Sequence, residues 1–123
     1  VDVVAELNRR ADFSIVGFDA EPVAVEQMGK GLIDAMVVQN PYQMGFQGVR
    51  MLSALVRDDK ATVQELFPRL GETGGDIYDT GLKVVIPDDK SPLNKKELFG
   101  EKTELLTLEQ FQEWLKKYNL SGS

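Results

Sequence analysis

The chain has 123 residues, 42% hydrophobic and 28% charged, a globular balance with no disorder signature and enough length to bury a core. Its net charge of −6, with dense basic spots only at Arg9-Arg10, Lys95-Lys96 and Lys116-Lys117, argues against tracking a nucleic-acid backbone. With no Cys and no His, thiol catalysis, His-based triads and zinc sites built from either ligand are excluded, and nothing in the sequence reads as a membrane span.

Val3, Val4 and Leu7 recur at helical spacing ahead of the polar Asn8-Arg9-Arg10, which predicts that the chain opens in an amphipathic helix. Residues 13–18 read as a strand, an apolar run that stops abruptly at the carboxylate of Asp19. Glu21-Pro22 starts the next helix, with Pro at the first helical position, where its missing N–H costs nothing. Val23, Val25, Met28 and Leu32 are its expected inward face, and Gly29 and Gly31 weaken its end. Residues 34–38 form a short, almost wholly apolar run, as expected of a strand covered on both faces, and it closes at Gln39.

Two strands joined by a helical crossover run parallel, so Asp19 and Gln39 should both project from one carboxyl edge of a sheet. That edge is where open α/β folds bind small ligands, and the fold class expected is α/β with parallel sheets flanked by helices. A carboxylate accepts from two adjacent hydroxyls, and an amide offers both a donor and an acceptor, so the pair suits a polar, hydroxyl-rich ligand. The same position would also place Asp19 as a favourable charge at a helix N-terminus.

Asn40-Pro41 reads as the cap and first residue of a further helix, which ends near Arg57-Asp58-Asp59. Met44, Val49, Leu52, Leu55 and Val56 are expected to face a core. Gly45 and Gly48, each costing about 1 kcal/mol against Ala in a helix, are expected where that helix packs closely on a neighbour. Residues 61–70 are either a short helix ended by Pro68 or an irregular connection. The turn Gly71-Glu72-Thr73-Gly74-Gly75 lacks the Lys-Ser/Thr ending of a phosphate loop. Residues 77–86 contain one or two strand pieces broken at Gly81, and Pro87-Asp88-Asp89 is a solvated turn. Thr107 and Gln110 form a capping box, with Leu106 and Phe111 as its hydrophobic staple, and Phe111, Trp114, Leu115 and Tyr118 make one core-facing stripe.

The strings Ile15-Val16-Gly17-Phe18-Asp19-Ala20-Glu21-Pro22 and Val38-Gln39-Asn40-Pro41-Tyr42-Gln43-Met44-Gly45, in this order, resemble the last third of periplasmic sugar-binding proteins of the ribose-binding type. The likeness runs from about Val1 to about Ile86. It implies a C-terminal part of a two-lobed receptor, with residues 1–39 in the C-terminal lobe, 40–80 contributed to the N-terminal lobe and 81–123 returning to the C-terminal lobe. It also implies a monosaccharide ligand held in an interlobe cleft, an ABC transporter permease as partner of the full-length protein, and a periplasmic or other extracytoplasmic location, with a lipid anchor upstream as one option. Asp19 and Gln39 match the family's sugar-binding carboxylate and amide, and Phe18 matches a pocket-lining aromatic. Ala20 replaces the Gly commonly found after that Asp. The second reading is the effector-binding domain of a LacI-type transcription regulator, which resembles the same fold. An α/β enzyme using Asp19 as base or nucleophile would need a partner acid or metal that this stretch does not supply, so a non-enzymatic module without metal or cofactor is expected. Such a piece would leave sheet edges unpaired and is expected to self-associate through them.

Overall fold

The computed structural model describes residues 1–122. They form two compact units, one made of Val1–Gln39 with the segment from Gly81 onward, the other of Asn40–Thr80.

The first unit is an α/β layer. After a short helix α1 (Asp2–Glu6) and a single 3-10 turn at Arg10–Asp12, the chain enters β1 (Val16–Phe18), crosses through α2 (Pro22–Gly29) and returns as β2 (Ala35–Val38). The unit resumes with β3 (Leu82–Ile86), then β4 (Thr103–Thr107) and a closing helix α5 (Leu108–Lys117). The sheet order is β1-β2-β3-β4. β1 and β2 are parallel, with Val16, Gly17 and Phe18 opposite Ala35, Met36 and Val37, as the crossover through α2 requires. β3 and β4 are also parallel, whereas β2 and β3 run antiparallel, with Val38 opposite Lys83. The α/β class expected from the sequence is therefore observed, in a sheet that is parallel in two of its three pairings. The antiparallel step follows from the connectivity: the chain leaves the end of β2 and comes back at the same end of the sheet, so β3 must run the other way.

The core lies where α2 and α5 cover one face. Met36, Val38 and Val85 from the strands meet Val25 and Met28 of α2 and Phe111 and Leu115 of α5, with Ala20 and Ile33 closing the ends. Ala35, Val84 and Ile86 alternate with those strand residues and are buried too, so the middle of the sheet is covered on both faces. Burying a residue such as Phe111 or Met36 contributes roughly 1.5–3 kcal/mol each. The α5 capping box forms as its sequence predicts: Gln110 N–H donates to Thr107 Oγ1 at 3.3 Å while Thr107 N–H donates to Gln110 Oε1 at 2.9 Å.

Several expectations need correction in this unit. The strand drawn over residues 13–18 begins only at Val16, because Arg10–Asp12 turns as a 3-10 segment and Arg10 ties down the carbonyl of Phe13 at 2.6 Å. Val23 is exposed, since α2 turns only its Ala24, Val25 and Met28 side inward. Tyr118 falls at the C-cap of α5 and is exposed, so the buried stripe ends at Leu115 with Trp114 half-buried beside it. β4 has no counterpart among the expected elements; it is a five-residue run fused directly to the cap of α5, and its pattern merges with that helix.

The second unit is helical. α3 (Pro41–Val56) opens on Asn40, whose side chain accepts from the Gln43 N–H, and α4 (Lys60–Leu66) opens on Asp59, which accepts from the Thr62 N–H at 3.1 Å and its hydroxyl at 2.7 Å. That settles residues 61–70 in favour of the short helix. Ala54 and Leu66 are buried, Arg50 pairs with Glu65 at 2.6 Å, and Phe67 meets Tyr78 edge-on. Met44, Val49, Leu52, Leu55 and Val56, expected to face a core, are exposed. A helix of this amphipathicity has α4 as its packing partner within the unit, and α4 is too short to cover the stripe. The close approach expected at Gly45 and Gly48 is likewise absent, as a Cβ at either would meet nothing within 4 Å. Ile77 also stays outside any strand, and the strand piece of residues 77–86 reduces to β3.

Candidate functional site

β1 and β2 end side by side, and the residue after each carries the polar chemistry. Asp19 N–H donates to the Val37 carbonyl at 2.8 Å, which prolongs the β1–β2 ladder by one bond beyond Phe18. Its backbone then turns with φ 65°, in the left-handed region that non-glycine residues seldom adopt; Asp tolerates it better than most because its short polar side chain bonds locally. Gln39, the first residue past β2, donates from Nε2 to Asp19 Oδ1 at 3.2 Å. Both side chains are half-buried. The structure thus brings together the two residues singled out from the sequence, at the carboxyl ends of neighbouring parallel strands.

Phe18 stands differently. It lies on the sheet face carrying Val16, pairs in register with Val37, and is 69% exposed. It is beside Asp19 along the chain and open to whatever approaches that edge.

A carboxylate has about four acceptor positions, and the bond from Gln39 occupies one of them. The remaining capacity, the second N–H of Gln39 and its carbonyl oxygen together offer a mixed set of donors and acceptors within a few ångströms. Such a set is chemically suited to vicinal hydroxyls, and among the described residues no group of three or more His, Cys, Asp or Glu side chains is placed to hold a metal.

Both passages of the chain out of and back into this unit lie at this edge. Asn40 caps α3 and also donates from Nδ2 to the Thr80 carbonyl at 3.5 Å, while Gly81 re-enters with φ 72°. A Cβ on Gly81 would sit 2.8 Å from the Lys102 carbonyl oxygen, so both the dihedral and the space require glycine. The break at Gly81 was legible in the sequence. The Asn40–Thr80 bond was not, because nothing local announces a partner forty residues away.

The opposite end of the β1–β2 pair holds a second polar knot that sequence reading missed. Asp34 accepts from Arg10 Nη2 at 2.7 Å and from the Ile15 N–H at 2.7 Å, and Arg10 also donates from Nε to the Gly31 carbonyl at 3.1 Å. Burial pushes the Asp34 carboxyl up, but the bonds from Arg10 and the Ile15 N–H outweigh it and hold the group below its ordinary value. This knot ties together the residues that lead into β1 and β2. In the second unit a groove of about 350 Å³ runs between α3 and α4, lined by Phe46, Val49, Arg50, Arg57, Asp59 and Thr62. Arg50 and Asp59 are already engaged there by Glu65 and Thr62, which explains the groove as a structural seam.

No helix among the described residues is long and apolar enough to cross a membrane. No curated protein and no solved structure gives a significant match to the chain. Residues 1–60, the stretch containing both Asp19 and Gln39, match the family model described as the periplasmic binding protein domain, which supports that family and with it a substrate-binding role.

Proposed function

We propose that the chain is the C-terminal portion of an extracytoplasmic receptor that binds a monosaccharide and hands it to the permease of an ABC importer. Asp19 and Gln39 form one wall of its sugar site and Phe18 lines the approach. On this reading the unit of Val1–Gln39 and the segment from Gly81 onward belongs to the C-terminal lobe, and Asn40–Thr80 is contributed to the N-terminal lobe. The observation that carries the reading is the 3.2 Å bond from Gln39 to Asp19 at the carboxyl edge, inside the stretch matched by the periplasmic binding protein domain. A pre-set carboxylate accepting from sugar hydroxyls gains about 1.5–3 kcal/mol per charge-assisted bond. Because Gln39 is the last residue before the chain leaves the unit, a ligand held by it is coupled to the path along which a hinged receptor closes.

The test is calorimetric titration of the complete receptor with ribose, xylose, glucose and galactose, in parallel with its Asp19→Ala variant. Saturable binding of at least one sugar is expected, weakened roughly 10–100-fold by the substitution. Unchanged affinity in a folded variant removes Asp19 from the site, and binding of none of these sugars overturns the monosaccharide reading.

A further inference from the structure

The left-handed backbone at Asp19 has to be imposed by its surroundings, since a non-glycine residue there costs on the order of 1 kcal/mol or more. From the sheet side two bonds impose it, the Asp19 N–H to the Val37 carbonyl and the Gln39 amide to the carboxylate. Neither restrains the short link Ala20-Glu21 that leads into Pro22 at the start of α2. A relaxation of Asp19 toward ordinary dihedrals would swing the Ala20 carbonyl and the Pro22 ring. Those two groups are where the far end of the chain arrives.

α5 ends in a tight reversal. Asn119 adopts φ 54° and donates to the Lys116 carbonyl at 3.1 Å, while Leu120 N–H reaches the Leu115 carbonyl at 2.9 Å. This paired 5→2 and 6→1 pattern turns the chain back along the helix. Residues 120–122 then run to the turn after Asp19. A Cβ on Gly122 would lie 2.6 Å from the Ala20 carbonyl oxygen and 2.9 Å from Pro22 Cδ, so the approach is closer than any side chain allows. Gly122 does not itself have a positive φ; what demands glycine is contact with backbone and a proline ring, neither of which can move aside cheaply. Ala20 beneath this contact is fully buried.

We propose that residues 120–122 are a buttress for the ligand-binding turn, and that Gly122 is a positioning residue that holds Asp19 in its binding conformation. The inference rests on the reading of Asp19 as a ligand group, but the geometry it describes exists without ligand and is tested without it. The reversal at Asn119 delivers the buttress, so the C-terminal end of α5 sets the geometry of an edge that belongs to β1 and β2.

The experiment is amide hydrogen exchange with two-dimensional NMR of the isotopically labelled chain, no sugar added, for the wild type, Gly122→Ala and a truncation after Leu120. In both variants exchange at the Asp19 N–H should rise by about tenfold or more, and the Gln39 side-chain amide resonances should move toward those of an unbonded glutamine. Exchange at the central amides of Val85 and Leu105 should stay as in the wild type. If Gly122→Ala does not fold, the truncation carries the test, because it removes Gly122, the residue of the buttress that meets Ala20 and Pro22, without introducing a clash. Unchanged Asp19 exchange and unchanged Gln39 resonances in the truncation overturn the proposal. A uniform rise across the sheet overturns it too, since that would make the tail a general stabiliser. Either result is readable whether or not Asp19→Ala alters sugar affinity in the receptor.

Discussion

Gln39 Nε2 lies 3.2 Å from Asp19 Oδ1 although the two residues are 20 apart in sequence, and the bond joins the ends of two strands whose own ladder has just finished. The carboxylate is therefore oriented by a side chain from the next strand, while its backbone is held left-handed. Charge and backbone shape can be separated by substitution. Asn keeps the short polar side chain that tolerates this region, so Asp19→Asn should leave stability within about 0.5 kcal/mol in urea denaturation. Asp19→Val, β-branched and barely tolerated at positive φ, should lose roughly 1–3 kcal/mol. Equal stabilities for the two variants would show that Asp19 does not carry the strained turn.

Asp34 gives the unit a defined acid response. Its carboxyl is held below the ordinary value of 3.8 in the folded chain, with burial opposing and the Arg10 and Ile15 bonds prevailing. A lowered folded value means that the group's stabilisation is fully present above pH 3.8 and is lost as the pH falls below it, through the folded value. The side chain is 42% exposed, so after solvent screening the ion pair contributes no more than about 1 kcal/mol. Asp34→Asn should lower stability by no more than about 1 kcal/mol at pH 7, and the difference should shrink as the pH falls below 3.8 and the wild-type carboxyl takes up its proton. A difference that does not shrink toward low pH would remove Asp34 as its source.

What could be read from the sequence divides along physical lines. The strand–helix–strand unit and the shared edge of Asp19 and Gln39 were legible because periodicity, the Glu21-Pro22 start and parallel pairing are local consequences of the chain. So was the α5 capping box, whose partners lie three residues apart. The exposure of Met44, Val49 and Leu52 was not legible: an apolar stripe shows that a helix is amphipathic, but whether anything covers the stripe is a tertiary fact. The same holds for the Arg10–Asp34 knot and for Gly122 against Ala20, contacts made between distant parts of the chain by residues with no local signature. β4 escaped because its five residues run into the cap of α5 without a turn between them.

Trp114 is the only tryptophan and sits where helix meets sheet. Its ring stacks on Phe111 with centroids 5.7 Å apart, and Lys83 Nζ stands 4.8 Å from its centroid while pairing with Glu104 at 3.1 Å. Lys83 is only 13% exposed, so this cation–π contact is largely desolvated and contributes about 1–2 kcal/mol. Trp114→Ala should lower stability by roughly 2–4 kcal/mol, short of a fully buried aromatic because Trp114 is half-buried. On the proposed function, the substitution should leave the sugar affinity of the complete receptor nearly intact wherever the protein stays folded. A large affinity loss without a change in melting temperature would contradict a structural role.

β1 is the edge on which the isolated chain should show its character in solution. Its ladder runs to β2 through Ile15, Gly17 and Asp19, so by alternation the N–H and C=O groups of Val16 and Phe18 point to the other side. Both side chains are also mostly exposed, at 60% and 69%. A short apolar edge without a charge, a proline or a bulge within Val16–Phe18 has none of the devices that discourage strand addition. Light scattering of the 123-residue chain should therefore report a species heavier than the monomer that dissociates on dilution, and Val16→Lys should shift it toward the monomer. Sugar binding by the chain alone is a separate question: micromolar affinity needs about −8 kcal/mol, and on the proposed reading Asp19 and Gln39 supply only part of that. Ligand-observed NMR of the chain alone with ribose, xylose, glucose and galactose should show no saturable binding. A monomer that binds any of these sugars with micromolar affinity would mean that Asp19 and Gln39 already belong to a complete site, and that the open edge of β1 is not a surface the rest of a receptor covers.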